Sequence, residues 1–262
     1  MNTARLLKTA EEAALLAGKL LLKHYGKLKS SDISQKTRND FVTKVDKMSE
    51  KLIIGHIRKT FPDHAILAEE SGRAVGDNTC WIIDPLDGTS NYIHQFPMFC
   101  VSIGVAHKGV LVAGVIYDPV HRELFTTRKG GGARLNGRRF HASKIKRLSN
   151  ALMATGIPFR ARNRFGQYFQ SLKTISLASA GMRRGGSAAL DLAYVACGRF
   201  DGFWEINLSP WDIAAGALLL QEAGGKISDV HGKKDFLSNG DVLASNRRIH
   251  AELEKITKAV FR

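Results

Sequence analysis

Acidic residues are missing from one long stretch of this 262-residue sequence. Between Leu124 and Leu190 there is no Asp or Glu, yet Arg128, Lys129, Arg134, Arg138, Arg139, Lys144, Lys146, Arg147, Arg160, Arg162, Arg164, Lys173, Arg183 and Arg184 all fall there. The chain carries a net charge of +15, and these residues account for nearly all of it. Such a segment, from 128 to 184, suits a polyanionic partner, RNA or an acidic protein. The plainer alternative is a solvated surface partly neutralised by acids from elsewhere in the fold.

Cysteine is scarce. Cys80, Cys100 and Cys197 are far apart and odd in number, which excludes a disulfide framework, argues against a zinc site and suits reduced thiols in the cytoplasm. No apolar run approaches the roughly 18 residues of a membrane span. Glu11 and Glu12 interrupt the apolar rhythm of the first residues, which reads as an amphipathic helix rather than a signal peptide. Internal repeats, low-complexity tracts and long linkers are also absent.

What remains is an ordinary globular composition, 44% hydrophobic and 24% charged, enough for a sizeable core. Apolar spacing predicts helices over 4–25 and 44–60. Short apolar runs at 65–68 and 81–83 end on acids. Runs at 99–107, 110–118 and 122–127 read as an antiparallel meander, with Lys108-Gly109 as its first tight turn and Gly130-Gly131-Gly132 as its end. Beyond about residue 145 strands alternate with helices. Strands are expected at 151–155, 200–206, 226–230 and 241–245, and helices at 163–175, 187–197, 211–223 and 247–260. The pattern predicts a layered α/β sandwich. It forms a single domain over 1–262 with two sub-halves at about 1–145 and 146–262 and the site between them.

Four segments place acids at the ends of apolar elements. In Trp81-Ile82-Ile83-Asp84-Pro85-Leu86-Asp87-Gly88-Thr89-Ser90-Asn91, a strand delivers Asp84, and Pro85 stops the ladder and stiffens the turn. Asp87 follows three residues on. Thr89 and Ser90 suit a helix start able to hold phosphate. Taken alone, Asp87-Gly88 is ordinary turn chemistry. Glu69-Glu70 could be a solvated pair, Asp212 a helix-capping acid, and Asp46, bracketed with Asp40 around Phe41–Val45, another. Together, converging carboxylates need a cation, and hard oxygen ligands without His or Cys suit Mg²⁺. Two such ions could clamp a phosphoryl transfer.

These segments, in order and spacing over nearly the whole chain, resemble the inositol monophosphatase family of the lithium-sensitive, magnesium-dependent phosphatase superfamily. The matching stretches are Asp40–Asp46, Ala68-Glu69-Glu70-Ser71-Gly72, Trp81–Tyr92, and Trp211-Asp212-Ile213-Ala214-Ala215-Gly216 followed by Glu222-Ala223-Gly224-Gly225. The resemblance implies an αβαβα, sugar-phosphatase-like sandwich and two or three Mg²⁺ ions. It implies Glu69, Asp84 and the Leu86 carbonyl for the first ion, and Asp84, Asp87 and Asp212 for the second. Asp46 would reach a third, near Glu69, through water. Thr89 and Glu69 would orient the attacking water, and the Gly88 and Thr89 N–H groups would hold the phosphate. Gly186-Ser187-Ala188 resembles the substrate loop, and Glu205, together with Asp212, a substrate-binding acid; the structural alternative for Glu205 is a surface acid at a strand end.

The expected reaction is hydrolysis of inositol monophosphate or another small polyol phosphate. Fructose-1,6-bisphosphatase or another sugar or histidinol phosphatase is the alternative, since related enzymes share the metal set. From another class, an RNA- or protein-binding factor on a phosphatase scaffold remains, with the basic segment as its motive and no recognised nucleic-acid motif to support it. A lithium-sensitive, cytoplasmic homodimer completes the expectation, with Arg183 and Arg184 as candidates for the dimer interface.

Overall fold

The computed structural model describes residues 2–37, 40–159 and 161–261. Arg160 of the basic segment and the side chain of Asp40 lie outside that description.

The chain opens with α1 (Thr3–His24), the strand pair β1 (Ile33–Thr37) and β2 (Asp40–Thr43), and α2 (Lys44–Thr60). Then come β3 (Ala65–Ala68), β4 (Gly72–Ala74), β5 (Thr79–Asp87) and α3 (Thr89–Ile93). The meander follows as β6 (Cys100–His107), β7 (Val110–Asp118), β8 (Glu123–Arg128), β9 (Gly132–Leu135) and β10 (Arg138–Phe140). The second half contains β11 (Leu152–Thr155), α4 (Phe165–Ala178), β12 (Gly181–Arg183), α5 (Ala188–Ala196), β13 (Gly202–Glu205) and α6 (Pro210–Glu222). It closes with β14 (Lys226–Ser228), α7 (Phe236–Asn239), β15 (Val242–Ser245) and α8 (His250–Val260).

Eight strands form one sheet in the order β10-β9-β8-β7-β6-β5-β3-β4, and five form another, β12-β11-β13-β15-β14. The layers follow from which helices are apolar on one face and which all round. α1 and α2 bury one stripe each, including Leu6, Ala10, Ala17, Leu21, Ile53 and Ile57, against the large sheet. In α5 every residue is buried, and in α6 Ile213 through Leu220 are. A helix apolar all round must be covered on all sides, and these two form the middle layer, touching strands of both sheets. α4 and α8 pack together, with Ile175 and Leu253 in the core behind the small sheet. The result is an αβαβα sandwich, as the sequence leads one to expect. Close packing of the middle layer requires glycine: a Cβ at Gly104 would lie 2.7 Å from Ala214 Cβ.

Several expected boundaries shift for local reasons. The meander does not end at Gly130-Gly131-Gly132. Gly130 and Gly132 take positive φ, their N–H groups donate to Glu222 at 2.8 and 2.9 Å, and the resulting turn leads into β9 and β10. β5 does not stop at Asp84; its register with β6 breaks there and resumes at Asp87 opposite Cys100, so Pro85 is bridged rather than terminal. The fourth helix begins at Phe165, after a 3-10 turn at Arg162–Arg164, and runs on to Ala178. The last helix begins at His250 because the Asn246 side chain accepts from Arg248 N and Ile249 N, holding a turn there. β14 ends at Ser228, where the Asp229 carboxylate takes up His231 N and Lys233 N. β1, β2, β4, β9, β10, β12 and α7 are too short to leave a periodic signal.

Candidate active site

Three helices begin at the wall of a single cavity of about 190 Å³. α3 starts after Gly88, whose φ of 93° is in the left-handed region and whose Cβ would lie 2.8 Å from Met98 O; only glycine suits this corner. α5 starts after Ser187, which caps it by accepting from Leu190 N. α6 starts after Ser209, with Asp212 accepting from Ser209 N at 2.7 Å in a capping box. Helix starts are positive dipole ends, which favour an anion.

Carboxylates collect on the same wall. One oxygen from each of Asp84, Asp87 and Asp212 lies within 4.8 Å of the other two. Asp84, 2% exposed, stands where β5 loses register, and its Oδ1 accepts from Leu86 N at 2.9 Å. Burial, then Glu69, Asp87 and Asp212, push its carboxyl well above the usual range. Asp87 is raised by burial and opposed by donors: its Oδ2 accepts from Ser187 Oγ at 2.6 Å and Ala189 N at 2.8 Å. Three crowded acids in low dielectric are unfavourable by themselves. A hard divalent cation matches the donor set, all carboxylate oxygen, and removes the repulsion. The residues therefore fit such a group.

Every residue to which the family resemblance assigns a role at this site lines the cavity except Asp46: Glu69, Asp84, Leu86, Asp87, Gly88 and Thr89, then Gly186, Ser187, Ala188, Glu205 and Asp212. Asp46 is fully buried just behind it, accepting from Thr43 N and Thr43 Oγ1 in the capping box of α2 and from Thr89 Oγ1 at 2.9 Å. Burial raises its carboxyl to about 6. The Thr89 hydroxyl also lies 3.1 Å from Leu86 O. Arg184 reaches the cavity too, its guanidinium 5.8 Å from the Phe159 ring centroid.

Sequence reasoning missed Asp191, Gly156 and Glu50. Asp191 lines the cavity from within α5; an acid inside an apolar helical run was the available signal. Gly156 leaves room for Glu205, whose Oε2 would lie 2.0 Å from a Cβ there. Glu50, 4% exposed, accepts from Glu70 N at 2.8 Å and so fixes the loop carrying Glu69.

The layered sandwich with an acid-lined, helix-capped cavity defines the sugar-phosphatase-like class. The pattern of the inositol monophosphatase family matches residues 2–260, and the chain belongs to that family. It is 48% identical over 246 residues to the Nus factor SuhB of Escherichia coli (strain K12), covering 93% of this chain and 92% of that protein. It is 43% identical over 260 residues to an inositol-1-monophosphatase of Mesorhizobium japonicum, covering 98% of each. The crystal structure of the extragenic suppressor protein suhB from Bartonella henselae superposes with a TM-score of 0.92 at 41% identity, over 97% of this chain and 98% of that one. Family membership supports phosphatase activity on a phosphorylated substrate. Among the described residues, no helix is long and apolar enough to cross a membrane.

Proposed function

We propose that this cavity hydrolyses a small polyol phosphate, inositol monophosphate first among them, with two or three Mg²⁺ ions. The observation that carries the reading is the convergence of Asp84, Asp87 and Asp212 in the cavity that also contains Glu205. In this reading Glu69, Asp84, Asp87, Asp212 and the Leu86 carbonyl hold the ions, which when bound acidify a water and neutralise charge on the phosphate. Thr89, its proton directed to Asp46, offers a lone pair that orients the attacking water, and Glu69 accepts that water's proton. The N–H groups of Gly88 and Thr89 hold phosphate oxygens, the Gly186-Ser187-Ala188 turn and Asp212 border the ester, and Glu205 accepts from a polyol hydroxyl. The chain works as one domain over 1–262, with halves at about 1–145 and 146–262 and the site between them. Lithium inhibition, a homodimer and a cytoplasmic location belong to the same reading.

A panel of phosphate esters assayed with Mg²⁺, with chelator and with added lithium tests it. Inositol monophosphate is expected to be turned over fastest, chelator to abolish turnover and Ca²⁺ to restore it poorly, since its larger shell is looser. Fastest turnover of fructose-1,6-bisphosphate or histidinol phosphate would select the alternative substrate; full activity in chelator would remove the metal from the reaction.

One observation favours a second role beside hydrolysis. Arg128, Lys129, Arg134, Arg138, Arg139, Lys144, Lys146 and Arg147 are exposed along β8–β10 and the loop after them. Among the described residues, Arg164 is the member of the basic segment that forms an ion pair, with Asp241 at 2.7 Å. A polyanion such as RNA fits that surface, and the Escherichia coli relative is named a Nus factor. Binding would be steeply salt-dependent. RNA titrations across a salt series, with Arg138, Arg139, Lys144, Lys146 and Arg147 changed to Ser, decide it: no binding at low salt, or binding indifferent to the five changes, ends the reading.

A further inference from the structure

Among the described residues, Asp191 is the buried acid with an oxygen that nothing satisfies. The residue is 1% exposed, and its Oδ1 has no hydrogen-bond partner. The other deeply buried acids around it are answered: Asp46 by Thr43 and Thr89, Asp87 by Ser187 and Ala189, Glu50 by the Glu70 amide. A buried acceptor left without a donor costs stability, and native folds keep few of them.

Asp191 forms part of the same cavity wall as Glu205. Both acids lie against bare backbone. A Cβ at Gly185 would come within 2.9 Å of Asp191 Oδ1, and one at Gly156 within 2.0 Å of Glu205 Oε2. Asp191 is thus placed by a glycine in the way Glu205 is. Rotation about Cβ–Cγ exchanges its two oxygens, so either can face a ligand. Burial, then Glu205 and Asp87, push this carboxyl well above the usual range, with Arg184 opposing. The missing element is a neutral hydrogen-bonding group, and a hydroxyl supplies one without adding charge.

We infer that Asp191 is a second acid that reads the substrate, hydrogen-bonding one hydroxyl of the polyol while Glu205 takes another. The inference rests on reading the cavity as a polyol phosphate site, and it narrows the substrate class to esters with at least two free hydroxyls.

Asp191→Ala and Asp191→Asn are assayed beside the wild type at saturating Mg²⁺. The substrates are inositol monophosphate, its analogues lacking one hydroxyl at a time, and 4-nitrophenyl phosphate. Asp191→Ala is expected to lose about tenfold more kcat/KM on inositol monophosphate than on the aryl ester, the size of one hydrogen bond. Asp191→Asn, of the same shape and still polar, recovers most of that difference. On one deoxy analogue the wild type and Asp191→Ala converge, which identifies the hydroxyl. Equal losses on both ester classes, or parallel deoxy profiles for wild type and variant, overturn the role of Asp191 alone. A wild type that hydrolyses the aryl ester and no polyol phosphate overturns the functional reading and this inference with it.

Discussion

Thr89 Oγ1 donates to Asp46 Oδ1 at 2.9 Å, joining the start of α3 to the start of α2 across 43 residues. The contact couples a cavity-lining hydroxyl to a buried acid outside the cavity lining, and in the proposed mechanism Asp46 acts by aiming Thr89. Thr89→Ala is expected to lower kcat about a hundredfold with a smaller change in KM, and Thr89→Ser to retain most activity. Steady-state kinetics check this; near-normal turnover by Thr89→Ala would remove Thr89 from the chemistry.

Asp84 shows the tension between function and stability. Burial and three neighbouring acids oppose its charge. Asp84→Asn is expected to cut hydrolysis by at least about a hundredfold, since the proposed mechanism makes Asp84 a metal ligand that contributes several kcal/mol. In chelator the same variant should melt above the wild type, because one of the crowded charges is gone. Added Mg²⁺ should raise the wild-type melting temperature and move that of Asp84→Asn little. Melting scans with and without Mg²⁺ read both effects, and a variant that melts below the wild type in chelator would contradict the charge argument.

Gly156 tests the placing of Glu205. A methyl there would overlap the Glu205 carboxylate. Gly156→Ala is expected to cost about 1–3 kcal/mol of stability and to reduce kcat/KM on inositol monophosphate more than on 4-nitrophenyl phosphate. Chemical denaturation and paired assays measure the two; a uniform loss on both esters would show that Glu205 supports the site in general.

His250, outside the cavity lining, sets a pH dependence of its own. Its ring nitrogens lie 3.1 Å from Ser228 Oγ and 2.9 Å from Ser245 Oγ, and burial lowers its pKa from 6.5 to about 4. Between those values the unfolded chain holds a proton that the folded one does not. Stability from this group is therefore complete above 6.5 and is lost as pH falls toward about 4, by roughly 3 kcal/mol in all. His250→Gln should flatten the fall in unfolding free energy across that window. Denaturant titrations of both proteins at several pH values test it, and identical slopes would assign the acid sensitivity elsewhere.

Much of the fold was legible because its signals are local. The stripes of α1 and α2, the all-round apolar α5 and α6, and the Lys108-Gly109 turn, where both residues take positive φ, each declare themselves within a few residues. The failures were local conflicts with a longer-range answer. Gly130-Gly131-Gly132 looks like a break, but the Glu222 carboxylate, some ninety residues away, turns it into a hairpin corner. Pro85 looks like a strand end, but pairing with Cys100 recovers β5 beyond it.

The sequence by itself determined which acids end apolar elements: Glu69 after β3, Asp84 and Asp87 at the end of β5, Asp212 in the first turn of α6. Each position follows from a local change from apolar to polar, and the order of the motifs named the family. Only the tertiary structure decided that these ends meet. Asp212 reaches Asp84 and Asp87 because α6, apolar on every side, must sit between two sheets, and that packing brings its first turn to the broken register of β5. The same packing buries Asp191 against Gly185 and leaves its Oδ1 without a hydrogen-bond partner. No periodicity in the chain encodes an unpaired oxygen, because it depends on which backbone lies opposite once the layers close.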